Sequence, residues 1–278
     1  MDLSFFRADG ALLVPTEMAQ SMWDTDQLHG VAVSGALARA LERQVADHGR
    51  PDLHPARLTV DLFRPATMAP CDVTAEVVRE GRRICVVDAL LTQHGRPVAR
   101  ATAVFLAATA RTAGEVWSPS ERPAPPPLDV APPTTTPHVP FLHSASGWSQ
   151  HFGEHQNASR KQLWSTAIPV LAGERITPFQ AAAALADGAS LVTNWGTRGV
   201  EYINTDITLT LARQPDGVEV GLWAVDRVEH AGIAVGTATV FDRTGPLGTA
   251  VVTSLANAAS AVDLGAVQYA DDGTRSRG

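Results

Sequence analysis

The sequence predicts an α+β chain of two tandem units, each a long apolar helix followed by an antiparallel sheet that curls around it. Three observations carry this expectation. A proline-rich stretch divides the 278 residues into halves of ordinary domain size. Each half opens on a helical period and continues in alternating, strand-like runs. The runs recur in the same order and at matched spacing, as a duplicated unit requires. Apolar residues make up 45% and charged residues 18%, enough to build a core and too apolar for disorder.

The first half begins with a strand-like run over Ser4–Val14. His29-Gly30 then opens a helix in which Val31, Ala38, Leu41 and Val45 recur on one side, with Arg39, Glu42 and Arg43 opposite. Gly49-Arg50-Pro51 stops it. Four runs follow: 57–65, 71–80, 83–93 and 98–107, the last two flanking a turn at His94-Gly95-Arg96-Pro97. From Ser118 to Pro140 prolines are dense and no period survives, which reads as an extended linker.

The second half opens on strand-like runs at 147–157 and 161–168. Thr177-Pro178 is a helix start, with Thr as cap and Pro at the first helical position. The helix FQAAAALADGASLVTNW is apolar almost all round, which implies central burial. Runs at 200–213, 218–227, 232–241 and 247–256 complete it. Arg64 precedes Gly95 by nearly the interval that separates Arg213 from Gly245, so the halves align as a divergent duplication. A sheet wrapped around a long helix is a hotdog unit, and two in one chain make a double hotdog. The expected organisation is an N-terminal hotdog over 1–115, a linker over 116–145, a C-terminal hotdog over 146–262 and a flexible tail over 263–278.

Charge and motifs narrow the function. Lys and Arg number 22 against 29 Asp and Glu, net −7, with no basic block, which argues against nucleic acid. No apolar run is long enough to span a membrane as a helix. The N-terminus MDLSFFR has an acid where a secretion signal carries positive charge, so a cytoplasmic location is expected. Cys71 and Cys85 lack a CxxC spacing and read as buried free thiols. His151 and His155 have helical spacing but no HExxH or Cys partner, so no metal is expected. GxGxxG, GxxxxGK[ST] and GxSxG are all absent, which removes the common nucleotide folds and the Ser–His–Asp hydrolases.

Asp187 is the most informative residue. It sits among Ala184, Leu185, Ala186, Gly188 and Ala189, where a carboxylate is costly unless paired or functional. Desolvation raises its pKa toward the range of a general base; an Asp satisfying a nearby amide or pairing with an Arg is the plain alternative. His29-Gly30 marks a helix N-terminus, whose N–H groups can polarise a carbonyl, and Gly30 permits close approach. Gly30 as a simple helix start, and His29 as a cap or as an acid–base group, stay open. Arg64 and Arg213 end equivalent strands, where arginines either meet phosphates or are only solvated.

LHGVAVSGALARALE, RLTVDLFRPA, EVVREGRRICVV and GRPVARATAVFL in the first half, with ALADGAS, EYINTDITLTLAR, GLWAVD and GPLGTA in the second, resemble acyl-CoA thioesterases of double hotdog fold, the thioesterase II type with its actinobacterial paralogues. The resemblance implies hydrolysis of a fatty acyl thioester by a water held by three side chains: an Asp at this helical position, a Thr or Ser on the next strand, and a Gln on the last. Asp187 matches the first. Asn204 falls on the hydroxyl position with Thr205 beside it, and the Gln position falls on Thr253, or on Val252 with a slip of one residue, so no Gln is there. The resemblance implies no separate cofactor, coenzyme A being part of the substrate; its phosphates are the anions that Arg64 and Arg213 could meet from their strand ends, with plain solvation as the alternative. One acid in one helix points to a single site per chain. Exposed hotdog sheet edges make a homo-oligomer plausible. Two other readings stand beside hydrolysis: a non-catalytic acyl-CoA or acyl-chain binder, and an enoyl-CoA hydratase or dehydratase, although no paired Asp and His share a loop.

Overall fold

The computed structural model describes residues 3–269 and 275–277. The chain is a double hotdog, and its two units share one twelve-stranded sheet. The first unit contains strands β1 (Phe6–Asp9) and β2 (Leu12–Pro15), helix α1 (Gly30–Asp47), and strands β3 (Leu53–Leu62), β4 (Asp72–Gly81), β5 (Ile84–Gln93) and β6 (Arg96–Ala107). The second contains β7 (Phe141–Ser144), β8 (Gly147–Ser149), β9 (Gln162–Thr166), helices α2 (Pro178–Ala186) and α3 (Gly188–Asn194), and strands β10 (Trp195–Gly196), β11 (Gly199–Val200), β12 (Tyr202–Asn204), β13 (Asp206–Leu211), β14 (Glu219–His230), β15 (Ile233–Asp242) and β16 (Gly245–Ala256).

Duplication is visible in the strand order. Around the junction the first unit runs β4-β5-β6-β3 and the second β13-β16-β15-β14, the same pattern reversed. In each unit the strand after the helix returns to pair with the last strand, rather than opening a four-strand meander. It therefore sits at the seam, where β3 and β13 pair antiparallel, Leu58 opposite Leu209 and Thr59 opposite Thr208. Helix α1 packs on α2 and on β4, β5 and β6, while α3 lies on β14, β15 and β16. Leu37, Leu41, Phe105, Phe179, Ile207 and Val252 are at most 2% exposed, so the helices and the inner sheet face form one core. A Cβ on Gly236 would collide with the Thr193 hydroxyl, which shows how tightly α3 is pressed to the sheet.

Several elements differ from the sequence expectation. The opening run is a hairpin, not one strand, because Gly10 takes the left-handed turn at φ 59°. The second helix is broken: at Asp187 bonding tightens to three-residue spacing, Ser190 N–H donating to the Asp187 carbonyl. The run at 200–213 is interrupted at Thr205, and after Ser149 the run at 147–157 becomes a short turn of 3₁₀ helix, Phe152–His155. Residues of the proline-rich stretch have no regular structure but are not all free. Ala131 is buried against Trp164 and Phe241, and its carbonyl accepts from Arg243 Nη2 at 2.7 Å. The tail begins anchored. Leu264 is buried, and Gly265 N–H donates to Gln156 Oε1 at 2.8 Å. The rest of the expected tail includes 270–274 and 278, which lie outside the described residues. Cys71 and Cys85 are buried free thiols. No helix among the described residues is long and apolar enough to cross a membrane.

Candidate active site

The break between α2 and α3 places the Asp187 carboxylate against the first turn of α1. Asn204 Nδ2, from β12, donates to Asp187 Oδ1 at 2.9 Å, and the Val31 backbone N–H donates from α1. Gly30 is required there, because a Cβ would fall on the carboxylate oxygens. The positive end of α1 and two hydrogen bonds favour the charged form, but burial outweighs them and raises the Asp187 pKa to about 6. Asp187 as a whole residue is half-buried, while its carboxyl group is the strongly desolvated part.

Register decides which strand residues join this carboxylate. Asn204 pairs with Ser254 across the β12–β16 ladder, so both side chains lie on the helix-facing side. Thr205 and Thr253 do not join them. Thr205 Oγ1 donates to the Thr253 carbonyl at 3.2 Å and to Asp206 Oδ2 at 3.1 Å, and Asp206 Oδ1 accepts from the Thr253 N–H at 3.3 Å. Thr253 belongs to the alternate face from buried Val252 and Ser254. Its expected place is a correction of one residue: Ser254, fully buried, is the last-strand side chain beside Asn204. Its Oγ accepts from Asn194 Nδ2 at 3.2 Å. The alternation Ala250, Val252, Ser254 was the sequence signal that could have found it.

With this geometry in view, the likeness to known proteins is specific. Residues 19–106 match the acyl-CoA thioesterase N-terminal domain, and residues 118–255 match the acyl-CoA thioesterase C-terminal domain. The chain belongs to the hotdog-fold acyl-CoA thioesterase-like family. The tesB protein of Mycobacterium avium subs paratuberculosis is 16% identical, with TM-score 0.62 over 90% of this chain and 94% of that one. The acyl-CoA thioesterase II TesB2 of Mycobacterium marinum is 14% identical, with TM-score 0.58 over 91% and 94%. A conserved hot dog fold protein of unknown function from Alicyclobacillus acidocaldarius is 21% identical, with TM-score 0.63 over 92% and 96%. At these identities the structures establish the fold. No curated protein matches significantly.

The remaining expected site residues of this thioesterase-like chain divide clearly. His29 is a helix cap. Its Nδ1 accepts from the Ala32 N–H at 2.9 Å, its Nε2 lies 2.8 Å from the Met18 carbonyl, and its ring meets Phe5 edge to face. Both nitrogens are engaged, which removes it as the acid or base. The N-terminus of α1 reaches the site as expected, but there the Val31 N–H already holds Asp187. Arg213 is engaged within the fold. Its Nη1 and Nη2 grip Asp242 at 2.8 and 2.7 Å, because Asp242 sits buried in the β15–β16 turn at the end of the neighbouring strands. Arg64 is exposed and makes no ion pair among the described residues.

The duplicated position in the first unit differs in kind. Counting from each helix cap, Arg39 stands where Asp187 stands. Arg39 Nε and Nη2 donate to Glu174 at 2.7 and 2.6 Å. One turn on, Glu42 Oε2 accepts from the Thr177 hydroxyl and from Gln180 Nε2, both at 2.8 Å, which closes the α2 N-terminus. Burial raises the Glu42 pKa against those two bonds. The first helix thus carries a half-buried acid that its sequence period placed on the polar side. His155 is no metal ligand in this fold, since Ser144 and Ser149 hydroxyls lie 2.9 and 3.0 Å from its two ring nitrogens. Among the described residues no cluster of three His, Cys, Asp or Glu could hold a metal.

Proposed function

We propose that this chain is a thioesterase II-like acyl-CoA thioesterase that hydrolyses a fatty acyl thioester through a water activated by Asp187. One observation carries the reading: a carboxylate with pKa about 6 rests on a helix N-terminus, between two hotdog units. A base of that pKa is ionised at neutral pH yet basic enough to accept a proton from water. Asn204 orients the carboxylate, in place of the hydroxyl that the family uses. The water oxygen bonds to the thioester carbonyl carbon and its proton passes to Asp187. The carbon–sulfur bond then breaks, and the thiolate takes a proton to leave as free thiol. The reaction needs no covalent enzyme intermediate. The Val31 and Ala32 N–H groups of the α1 first turn are taken by Asp187 and His29, so in this reading they hold the base in place rather than the carbonyl oxygen.

The deciding experiment is thiol release from a panel of acyl-CoAs, run beside calorimetry. Thiol release supports hydrolysis. Saturable binding without thiol release supports the binding-protein reading, which the loss of the family hydroxyl and Gln favours. The sign of the pH dependence follows from the base. Below about pH 6 the carboxyl is protonated and cannot accept from water, so kcat/KM rises with pH through about 6 and levels off above it. Gly30→Ala tests the fit from the other side. The methyl meets the buried carboxylate and lowers the melting temperature, so the variant is assayed where it is still folded. The new methyl displaces the carboxylate, and thiol release falls about 10-fold or more.

A further inference from the structure

We infer that Arg227 recognises the phosphate at the far end of a phosphopantetheine arm whose thioester lies at Asp187; the inference rests on the hydrolase reading of that site. Arg227, on β14, is exposed, yet its guanidinium is held in place from two sides. Its Cζ lies 4.9 Å from the centre of the Tyr202 ring. Its Nε donates to Asn194 Oδ1 at 3.1 Å. Asn194 is itself buried and donates to the fully buried Ser254. A stacked and tethered guanidinium has lost its rotamer freedom before any ligand arrives, which strengthens binding to a matching anion.

The charge of Arg227 is uncompensated. It joins no ion pair among the described residues, in a chain whose net charge is −7. The acids on either side of it serve the backbone instead. Asp226 Oδ1 accepts from the Arg227 N–H at 2.8 Å, and Glu229 Oε1 accepts from the Gly232 N–H at 3.2 Å. With Nε tied to Asn194, the Nη groups form a fork suited to phosphate oxygens.

Position links this cation to the carboxylate. Asp187 and Asn194 stand at the two ends of α3, separated by about 10 Å of helical rise. Tyr202 and Asn204 lie on one face of β12, about 7 Å apart. Asn204 holds Asp187 at one end of this frame, and Tyr202 supports Arg227 at the other. An extended pantetheine arm is longer than this frame, so with a bend it reaches both groups. Phosphate recognition thus moves from Arg213, which Asp242 occupies, to Arg227.

The test compares hexanoyl thioesters of pantetheine, 4′-phosphopantetheine and coenzyme A in the full chain and in Arg227→Gln. The parent prefers the phosphorylated arms by about 10-fold or more in kcat/KM, chiefly through KM, and the preference shrinks with added salt. R227Q reduces the preference to within about 2-fold, and Arg227→Lys restores part of it. A hexanoyl-acyl carrier protein arm beside hexanoyl-CoA separates the two natural sources of this phosphate. Three results overturn the inference: no preference in the parent, a preference that survives R227Q, or an equal loss on all arms, which marks a structural residue. If the parent releases no thiol, the hydrolase reading fails on its own. Calorimetry of coenzyme A against pantetheine then decides Arg227: loss of the difference in R227Q supports it, and retention overturns it.

Discussion

Asp187→Asn is expected to lower thiol release from acyl-CoAs by about 100- to 10,000-fold, the range that a positioned general base contributes. The side chain keeps its size at the α2–α3 break, so the loss is chemical rather than a failure to fold. The inflection of kcat/KM near pH 6 disappears with it. Stability moves the other way. A carboxyl raised from an ordinary value near 4 to about 6 binds its proton more tightly when folded. Its burial is therefore least costly below the unfolded pKa, and the cost grows as pH rises through about 6. At pH 8 the penalty is at most about 3 kcal/mol, and partial exposure reduces it. D187N removes the charge, so its melting temperature at pH 8 equals or exceeds that of the parent. A variant that hydrolyses acyl-CoAs as fast as the parent would overturn the mechanism. A variant that loses activity and melts much lower at pH 8 would show a structural carboxylate.

Asp187 was legible in the sequence because a carboxylate among alanines violates the burial pattern around it. The duplication and the fold were legible for a similar reason: periods of helix and strand recur twice over long stretches. What the sequence could not supply was register. Asn204 and Thr205 are neighbours, and Thr253 and Ser254 are neighbours, but only one member of each pair faces the helices. A shift of one residue exchanges a site residue for a sheet clasp. The partner of Arg213 stayed hidden for a different cause. Its partner Asp242 is remote in sequence, and an arginine at a strand end looks alike whether its acid is solvent, phosphate or a buried aspartate. The linker was legible as irregular backbone, whereas its contact at Ala131 depends on Trp164, Phe241 and Arg243 from three other segments.

The two helix ends show how the duplicated units diverged. At the α1 N-terminus a desolvated carboxylate is held by one amide side chain and one backbone N–H. At the α2 N-terminus Glu42 is bound by Thr177 and Gln180, and Arg39 beside it is neutralised by Glu174. A guanidinium at the duplicate position has no use as a base, and its ion pair ties α1 to the segment before α2. The asymmetry leaves an aspartate without a cationic partner at one helix–helix corner and an ion pair at the other, and it gives the second corner a structural task.

Asp242→Ala is expected to produce the largest loss of stability. The Asp242 carboxylate is 1% exposed and accepts five hydrogen bonds: two from Arg213, one from the Asp216 N–H, and two from Thr244. Burial alone would raise its pKa, but Arg213 and these N–H and hydroxyl donors overcome it and hold the carboxyl well below the ordinary carboxylate range. Removing it leaves a guanidinium and the donors of the β15–β16 turn without their acceptor, at a cost of about 3–5 kcal/mol. For a chain of this size that lowers the melting temperature by about 10 °C. The carboxyl's contribution is present above the unfolded pKa and is lost as pH falls below about 4 toward its depressed folded value. The parent therefore loses stability in acid where D242A loses less. Arg213→Ala breaks the same contact, so the double variant costs well under the sum of the two. Both single variants keep the parental KM for acyl-CoA when assayed below their melting temperatures, because Arg213 serves the turn. An R213A variant that melts normally but binds coenzyme A weakly would return Arg213 to the ligand and contradict the geometry.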